Sequence, residues 1–273
     1  MSGAPFERVI AVDWSGAREP AGALAVAEVR GDATGIDAAL WTPASREETT
    51  ALLLMRARTE RVAIGLDFAF SYPRWFVERQ RCDDGVSLWR RVAARGERWL
   101  AEVPAQFSRT QLARASVAAG GLPLFRATEV ALSVGARVTP KSAFQIGGSG
   151  QVGMSTLRGI PFLLLLEAAG CAIWPFDVPA RDQSVVLEIY PRAIYGGAVA
   201  KVDAAQRAAW LDARAPHLAA GTREAAARGD HAFDALASAL ALWDAREALT
   251  ALPGARSATE RLEGRIWTPE LAA

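Results

Sequence analysis

Residues 9–17 read VIAVDWSGA, four apolar residues that run straight into Asp13. Such a run suits a buried strand, and a lone buried carboxylate is costly unless a cation, water or metal meets it. The pattern returns twice: AIGLD (63–67) ends in Asp67, and VVLE (185–188) ends in Glu188. Singly, each acid reads as a helix cap or an arginine partner. Together they point to one site, because loops beyond adjacent strand ends are where α/β folds assemble their sites. Ser15–Gly16 follows Asp13, and Ser71–Tyr72–Pro73 follows Asp67. These small or turn-forming residues leave room for a ligand, which makes Ser15 a candidate substrate contact.

Around Asp13, residues 8–14, 22–31 and 35–43 read as three strands joined by short Gly-containing turns, the signature of an antiparallel meander. Residues 45–60 read as a helix, with Ser45 as cap, Glu47 and Glu48 in the first turn, and Arg56 and Arg58 in the last. Residues 61–73 return to strand. Further on, 155–170 reads as a helix ending at Gly170, with Gly159 and Pro161 expected to delay its start. Residues 171–176 and 184–191 read as strands, and 204–214 and 230–249 as helices. The Gly-rich PKSAFQIGGSGQVGMS (140–155) reads as loop.

In DHAFDALASALAL (230–242), Phe233, Leu236, Leu240 and Trp243 fall at helical spacing and form the expected buried stripe. Asp234 lies beside it, three residues after His231 and on the same face. Asp230 suits the N-cap.

The chain of 273 residues carries 51% hydrophobic and 22% charged residues, with a net charge of +1. This balance fits one globular domain with an insertion and does not call for a polyanion partner. Cys82 and Cys171 have no metal or redox spacing, so free thiols in a reducing cytoplasm are expected. The stretch MSGAPFERVIAVD lacks the pattern of a signal peptide, and the apolar run at 160–176 is broken by Pro161, Glu167 and Pro175. No membrane span is expected.

Residues 74–119 are rich in arginine, with Trp75, Phe76, Trp89, Trp99 and Phe107 interleaved. Two readings stand: a basic surface with aromatic platforms for a nucleic-acid strand, or an amphipathic helical layer with its tryptophans inward. The cationic candidates for phosphate contact are Lys141, one of two lysines with Lys201, and Arg126. A local ion pair with Glu129 is the other reading of Arg126.

Carboxylates with few competing His or Cys ligands make a hard, oxygen-rich donor set that selects Mg²⁺ or Mn²⁺. Three meandering strands, a helix and a fourth strand, with acids on strands one and four and on a C-terminal helix, resemble the ribonuclease H-like superfamily. HAFDALASALAL is similar to the last helix of RuvC-type Holliday-junction resolvases. VDWSGA, IGLDFAFSYP, FQIGGSGQVG, LEIYP and HAFDALASALAL, in this order, resemble an uncharacterised family of predicted nucleases with that fold. The resemblance spans Val9 to about Ala245. It implies an α/β fold: a ribonuclease H-like mixed sheet, antiparallel meander plus parallel strands, flanked by helices, with a helical insertion near 74–154. It also implies metal ligation by Asp13, Asp67 and Asp234, with Glu188 at the site and His231 as ligand or proton-transfer group. The implied activity is metal-dependent hydrolysis of nucleic-acid phosphodiesters. Asp67 stands where resolvases more often carry Glu.

Two rival readings remain. A nucleotide-dependent enzyme of the actin-like ATPase and sugar-kinase group would use GGSGQVG as a phosphate cradle, although no Lys follows it as in a P-loop. A non-catalytic ribonuclease H-like binding module would hold the acids without a metal.

Overall fold

In the computed structural model β1 (Arg8–Asp13) lies within a mixed α/β sheet, with helices on both of its faces. Residues 4–32, 35–102, 122–135, 138, 140–146, 152–196 and 199–271 are described. β1 pairs antiparallel with β2 (Ala25–Asp32), and β2 antiparallel with β3 (Gly35–Trp41). On its other side β1 pairs parallel with β4 (Ala63–Leu66). β6 (Val185–Ile189) lies parallel beyond β4. The first half of β6 pairs with β5 (Ala172–Ile173), and its second half with β7 (Ile266–Trp267). Among the described residues, seven strands make this one sheet.

The period of two sorts side chains onto two layers. Val9, Ala11, Ala63, Val185, Leu187 and Ile189 face one core. It is closed by α7 (Ala204–Arg214), α8 (Ala220–Arg228) and α9 (Asp230–Asp244). Ile10, Val12, Ile64, Leu66 and Val186 face the other. That core is closed by α1 (Arg46–Thr59), α2 (Arg74–Arg79), α3 (Gly85–Ala101) and α5 (Val152–Ala168). Among the described residues three short α-helices complete the set: α4 (Ala127–Gly135), α6 (Pro191–Tyr195) and α10 (Ala258–Glu263).

Ser45 caps α1 by accepting from the Glu48 N–H at 3.0 Å, as its sequence signals require. Three expectations change. The fourth strand stops at Leu66 rather than Pro73, because the backbone beyond it is satisfied by side chains. Phe70 donates its N–H to Glu188 at 2.9 Å, and its carbonyl accepts from Trp89 Nε1 at 2.9 Å. The helix α5 begins at Val152, and Gly159 and Pro161 do not delay it. A Cβ on Gly159 would meet the Phe68 ring at 2.7 Å, so glycine admits the aromatic. Pro161 deprives the Leu157 carbonyl of its i+4 donor, and Gly96 of α3 packs against that oxygen. Finally, α9 is capped by Gly229 and not Asp230, and it ends at Asp244.

Of the arginine-rich segment's tryptophans, Trp89 and Trp99 are core residues and Trp75 is half-buried against that core. Trp89 and Trp99 are buried, as is Phe76, while Arg74, Arg79, Arg90, Arg95 and Arg98 are exposed. This is the amphipathic layer, and these aromatics are not platforms for bases. Phe107, Arg109, Arg114 and most of GGSGQVG lie outside the described residues.

The loop after β1 is held from two sides. Arg46 Nη1 donates to the carbonyls of Ser15 (3.1 Å) and Ala17 (2.7 Å), and Arg158 Nη1 to that of Gly16 (2.7 Å). A Cβ on Gly16 would lie 2.2 Å from the Ser155 backbone nitrogen in the first turn of α5. Backbone on both sides leaves nothing to give. Gly16→Ala is expected to cost about 3 kcal/mol or more, at the upper end of overpacking effects. Urea unfolding measures it, and a loss under about 1 kcal/mol would mean that this loop does not seat on α5.

Candidate active site

Parallel pairing brings the first two acids together. Val12 pairs with Leu66, and the Asp67 N–H continues the ladder to the Val12 carbonyl at 3.0 Å. Asp13 and Asp67 therefore stand side by side. Asp13 has the parity of Val9 and Ala11, and Asp67 that of Ala63, so both project toward the layer that contains α9. From α9 come Asp230, His231 and Asp234. The loop before α7 adds Lys201, and α6 adds Tyr195.

The contacts are specific. His231 Nδ1 bonds Asp13 Oδ2. Lys201 Nζ donates to Asp234 Oδ2 at 2.9 Å and lies 3.6 Å from Asp230 Oδ2. Tyr195 Oη donates to Asp234 Oδ1 at 2.9 Å. Asp13, Asp67, Lys201, Asp230 and His231, with Trp14–Ala17 and the first turn of α5, line a cleft of about 480 Å³. Of its lining, Asp13 is buried and His231 and Lys201 are half-buried; Asp234 is buried behind Lys201.

Electrostatics follow from this crowding. Burial, then the negative charges of Asp13 and Asp234, push the Asp67 carboxyl well above the usual carboxylate range. Asp67 also lies close enough to Asp13 for the two carboxyls to share a hydrogen bond. Among the described residues Asp67 has no ion-paired cation of its own. Burial and Asp13 likewise raise Asp234, against the pull of Lys201. The bond to Asp13 raises His231 above its ordinary value despite desolvation. Burial opposes the Lys201 ammonium, but Asp234, Asp13 and Asp230 outweigh it and hold the proton on.

Glu188 does not share this arrangement. It has the parity of Val186 and pairs in register with Leu66, so it projects into the opposite layer. There its oxygens accept from Arg126 Nη2 at 2.5 Å and Nη1 at 2.8 Å. Glu188 is 2% exposed and Arg126 1%. Arg126 also donates from Nε to Glu129 (3.0 Å) and from Nη1 to the Glu263 carbonyl (3.1 Å). These contacts correct two expectations. Glu188 is a buried ion-pair partner rather than a metal ligand, and Arg126 has no free guanidinium face for a substrate phosphate. The local pair with Glu129 is the reading of Arg126 that holds. Lys141 is exposed and borders a cavity of only about 30 Å³, shared with Glu188, Tyr190 and Asp67. Ser15 lines the larger cleft, where its Oγ accepts from the Ala17 N–H at 3.2 Å.

Among the described residues, no three His, Cys, Asp or Glu side chains are drawn together into a metal-holding group. Both oxygens of Asp234 already meet donors, and one of Asp13 meets His231. The hard oxygens of Asp13 and Asp67 still match a divalent cation, which would replace the proton that crowding retains there. Sequence reading missed Tyr195 and Lys201. The available signal was that Lys201 is one of only two lysines among 31 basic residues. Cys82 and Cys171 are buried free thiols, and burial raises Cys171 to about 11.

No family model, curated protein or solved structure matches this chain. Among the described residues, no helix is long and apolar enough to cross a membrane.

Two outcomes follow from these charges. Glu188→Gln breaks the two-oxygen pairing with Arg126 while Glu129 still balances its charge, and is expected to cost about 1.5–3 kcal/mol, read by denaturant unfolding. In chelator, Asp67→Asn moves the other way. A carboxyl raised in the fold contributes stability below its unfolded pKa, and that contribution is lost as pH rises through the folded value. The variant should therefore gain on the wild type as pH increases. A flat difference in melting temperature between pH 4 and pH 9 would contradict the crowding.

Proposed function

We propose that this chain is a metal-dependent phosphodiesterase acting on nucleic acid, with a ribonuclease H-like core. The observation that carries the reading is Asp67: a carboxyl beside Asp13 on an open cleft, under the added negative charge of Asp234 and, among the described residues, without an ion-paired cation. The strand order, an antiparallel meander followed by parallel strands with the third acid on a late helix, supports the same reading. The expected cation is Mg²⁺ or Mn²⁺, held by Asp13 and Asp67, with Asp234 completing the charge around them.

A bound divalent cation would lower the pKa of a water and stabilise negative charge on a phosphoryl oxygen. The chain's own residues do the rest. Asp13 and Asp67 are prealigned by the β1–β4 ladder, so ordering them on binding carries little further entropic cost. His231, anchored through Nδ1 to Asp13, has Nε2 available to hold a proton at the mouth of the cleft; that atom is 4.0 Å from Asp230 Oδ1. Lys201 keeps positive charge on the cleft wall. Ser15 and the first turn of α5 line the same cleft, where the positive end of the helix dipole favours an anionic substrate.

One observation favours a second reading, a non-catalytic module. His231 and Lys201 already pair with Asp13 and Asp234, so these acids are compensated within the protein. The two readings separate in a panel of labelled single-stranded, duplex and branched DNA and RNA, incubated with Mn²⁺ and either wild type or Asp13→Asn. Cleavage by the wild type alone, lost in chelator, is the expected result. Loss of outer-shell partners alone costs 10–100-fold in metal sites, so loss of a ligand should cost about 100-fold or more. Equal cleavage by both proteins would refute the assignment.

A further inference from the structure

We infer that Lys201 occupies the position of a second metal ion, so that the centre loads one divalent cation, between Asp13 and Asp67. This rests on the metal-dependent reading above and specifies its stoichiometry. Asp234 is the acid that a second ion would need, and its two oxygens are already divided between Lys201 and Tyr195 at 2.9 Å each. An ammonium 2.9 Å from one carboxylate and 3.6 Å from another is a fixed positive charge at that spot. A second divalent ion beside it would meet direct repulsion in a partly buried setting.

Lys201 is not a wandering surface side chain. Its backbone carbonyl is gripped by Arg207 Nη1. Arg207 is buried and also donates from Nε to the Ala227 carbonyl (2.8 Å) and from Nη2 to that of Arg228 (3.4 Å), at the end of α8. The turn before α7 is closed as well. The Asp203 N–H donates to the Ala200 carbonyl at 2.8 Å, and Asp203 caps α7 through the Ala205 and Gln206 N–H groups. One buried guanidinium thus ties the Lys201 backbone to the segment that leads into α9, which carries Asp234. Arg207 is a positioning residue and Lys201 the charge it positions. The remaining N–H donors of Lys201 border the cleft.

Mn²⁺ titration of the full chain, followed by electron paramagnetic resonance of the free ion, tests this. The wild type should bind one Mn²⁺ per chain. Lys201→Gln, which removes the charge while keeping a polar chain, should bind two, and Lys201→Arg should stay at one. Two ions on the wild type would overturn the inference while leaving the metal-dependent reading intact, as would one ion on both wild type and Lys201→Gln. No ion on the wild type would overturn both. Where Lys201→Gln fails to fold, Lys201→Met carries the same test, and a wild-type count of two or none is decisive alone.

Discussion

The parallel pairing of β1 with β4 carries a built-in electrostatic cost. It sets Asp13 beside Asp67, on the same side of the sheet, through backbone hydrogen bonds that leave no freedom to separate them. Two carboxylates so placed repel, and burial sharpens the repulsion. Much of the layer over that face compensates this. His231 comes from the first turn of α9 to meet Asp13, while Lys201 and Tyr195 come from two further segments to meet Asp234. Among the described residues the compensation stops short of an ion pair for Asp67, on which Lys201 acts only through space. A fold that minimised only its own free energy would have placed a neutral residue there, as natural sequences do except where a site requires otherwise.

The opposite layer shows what full compensation looks like. Glu188 gives both oxygens to one arginine, Arg126, whose remaining donors go to Glu129 and the Glu263 carbonyl. Glu263 in turn accepts from the N–H of Arg74 (2.7 Å) and of Ala127 (2.6 Å), at the starts of α2 and α4. Those first-turn N–H groups have no partner within their helices, so one carboxylate satisfies two of them and favours both helix dipoles. This acidic set is closed, saturated and structural. The set around Asp13 opens on the cleft and, among the described residues, leaves Asp67 without an ion pair. Both grow from strand ends, and side-chain parity separates them.

Parity also marks how far the sequence could be read. The meander, α1 with its Ser45 cap and the buried stripe of α9 follow from periodicities that tertiary packing did not override. Asp13, Asp67 and Asp234 were legible because each interrupts or borders an apolar pattern. Glu188 looked equivalent only because the strands were compared by their ends. In register it pairs with Leu66, one residue short of Asp67, and a single-residue offset turns a side chain to the other face. Register is a property of pairing between distant segments, and no local pattern encodes it. The same holds for Lys201, whose importance depends on a loop 33 residues before Asp234 folding back onto α9. The aromatic run after Asp67 misled differently. Its β-forming composition serves packing, while Glu188 and Trp89 satisfy its backbone.

The two buried or half-buried cations that serve these acids differ in kind, and the difference has a chemical logic. A guanidinium presents a planar fork and takes a carboxylate through both oxygens, as Arg126 takes Glu188; this locks the acid and leaves little for a ligand. An ammonium is a compact point charge. At Asp234 it engages one oxygen and leaves the other to Tyr195, and it stays at the cleft wall with donors to spare. In a chain whose basic residues are otherwise arginine apart from Lys141, a lysine at this position is a departure from a strong compositional habit. An arginine there has the fork to take both Asp234 oxygens in place of Tyr195, which would close Asp234 as Glu188 is closed while leaving Asp13 and Asp67 facing the cleft. Positive charge without bidentate capture is what an acid centre needs if it is to remain available to a ligand.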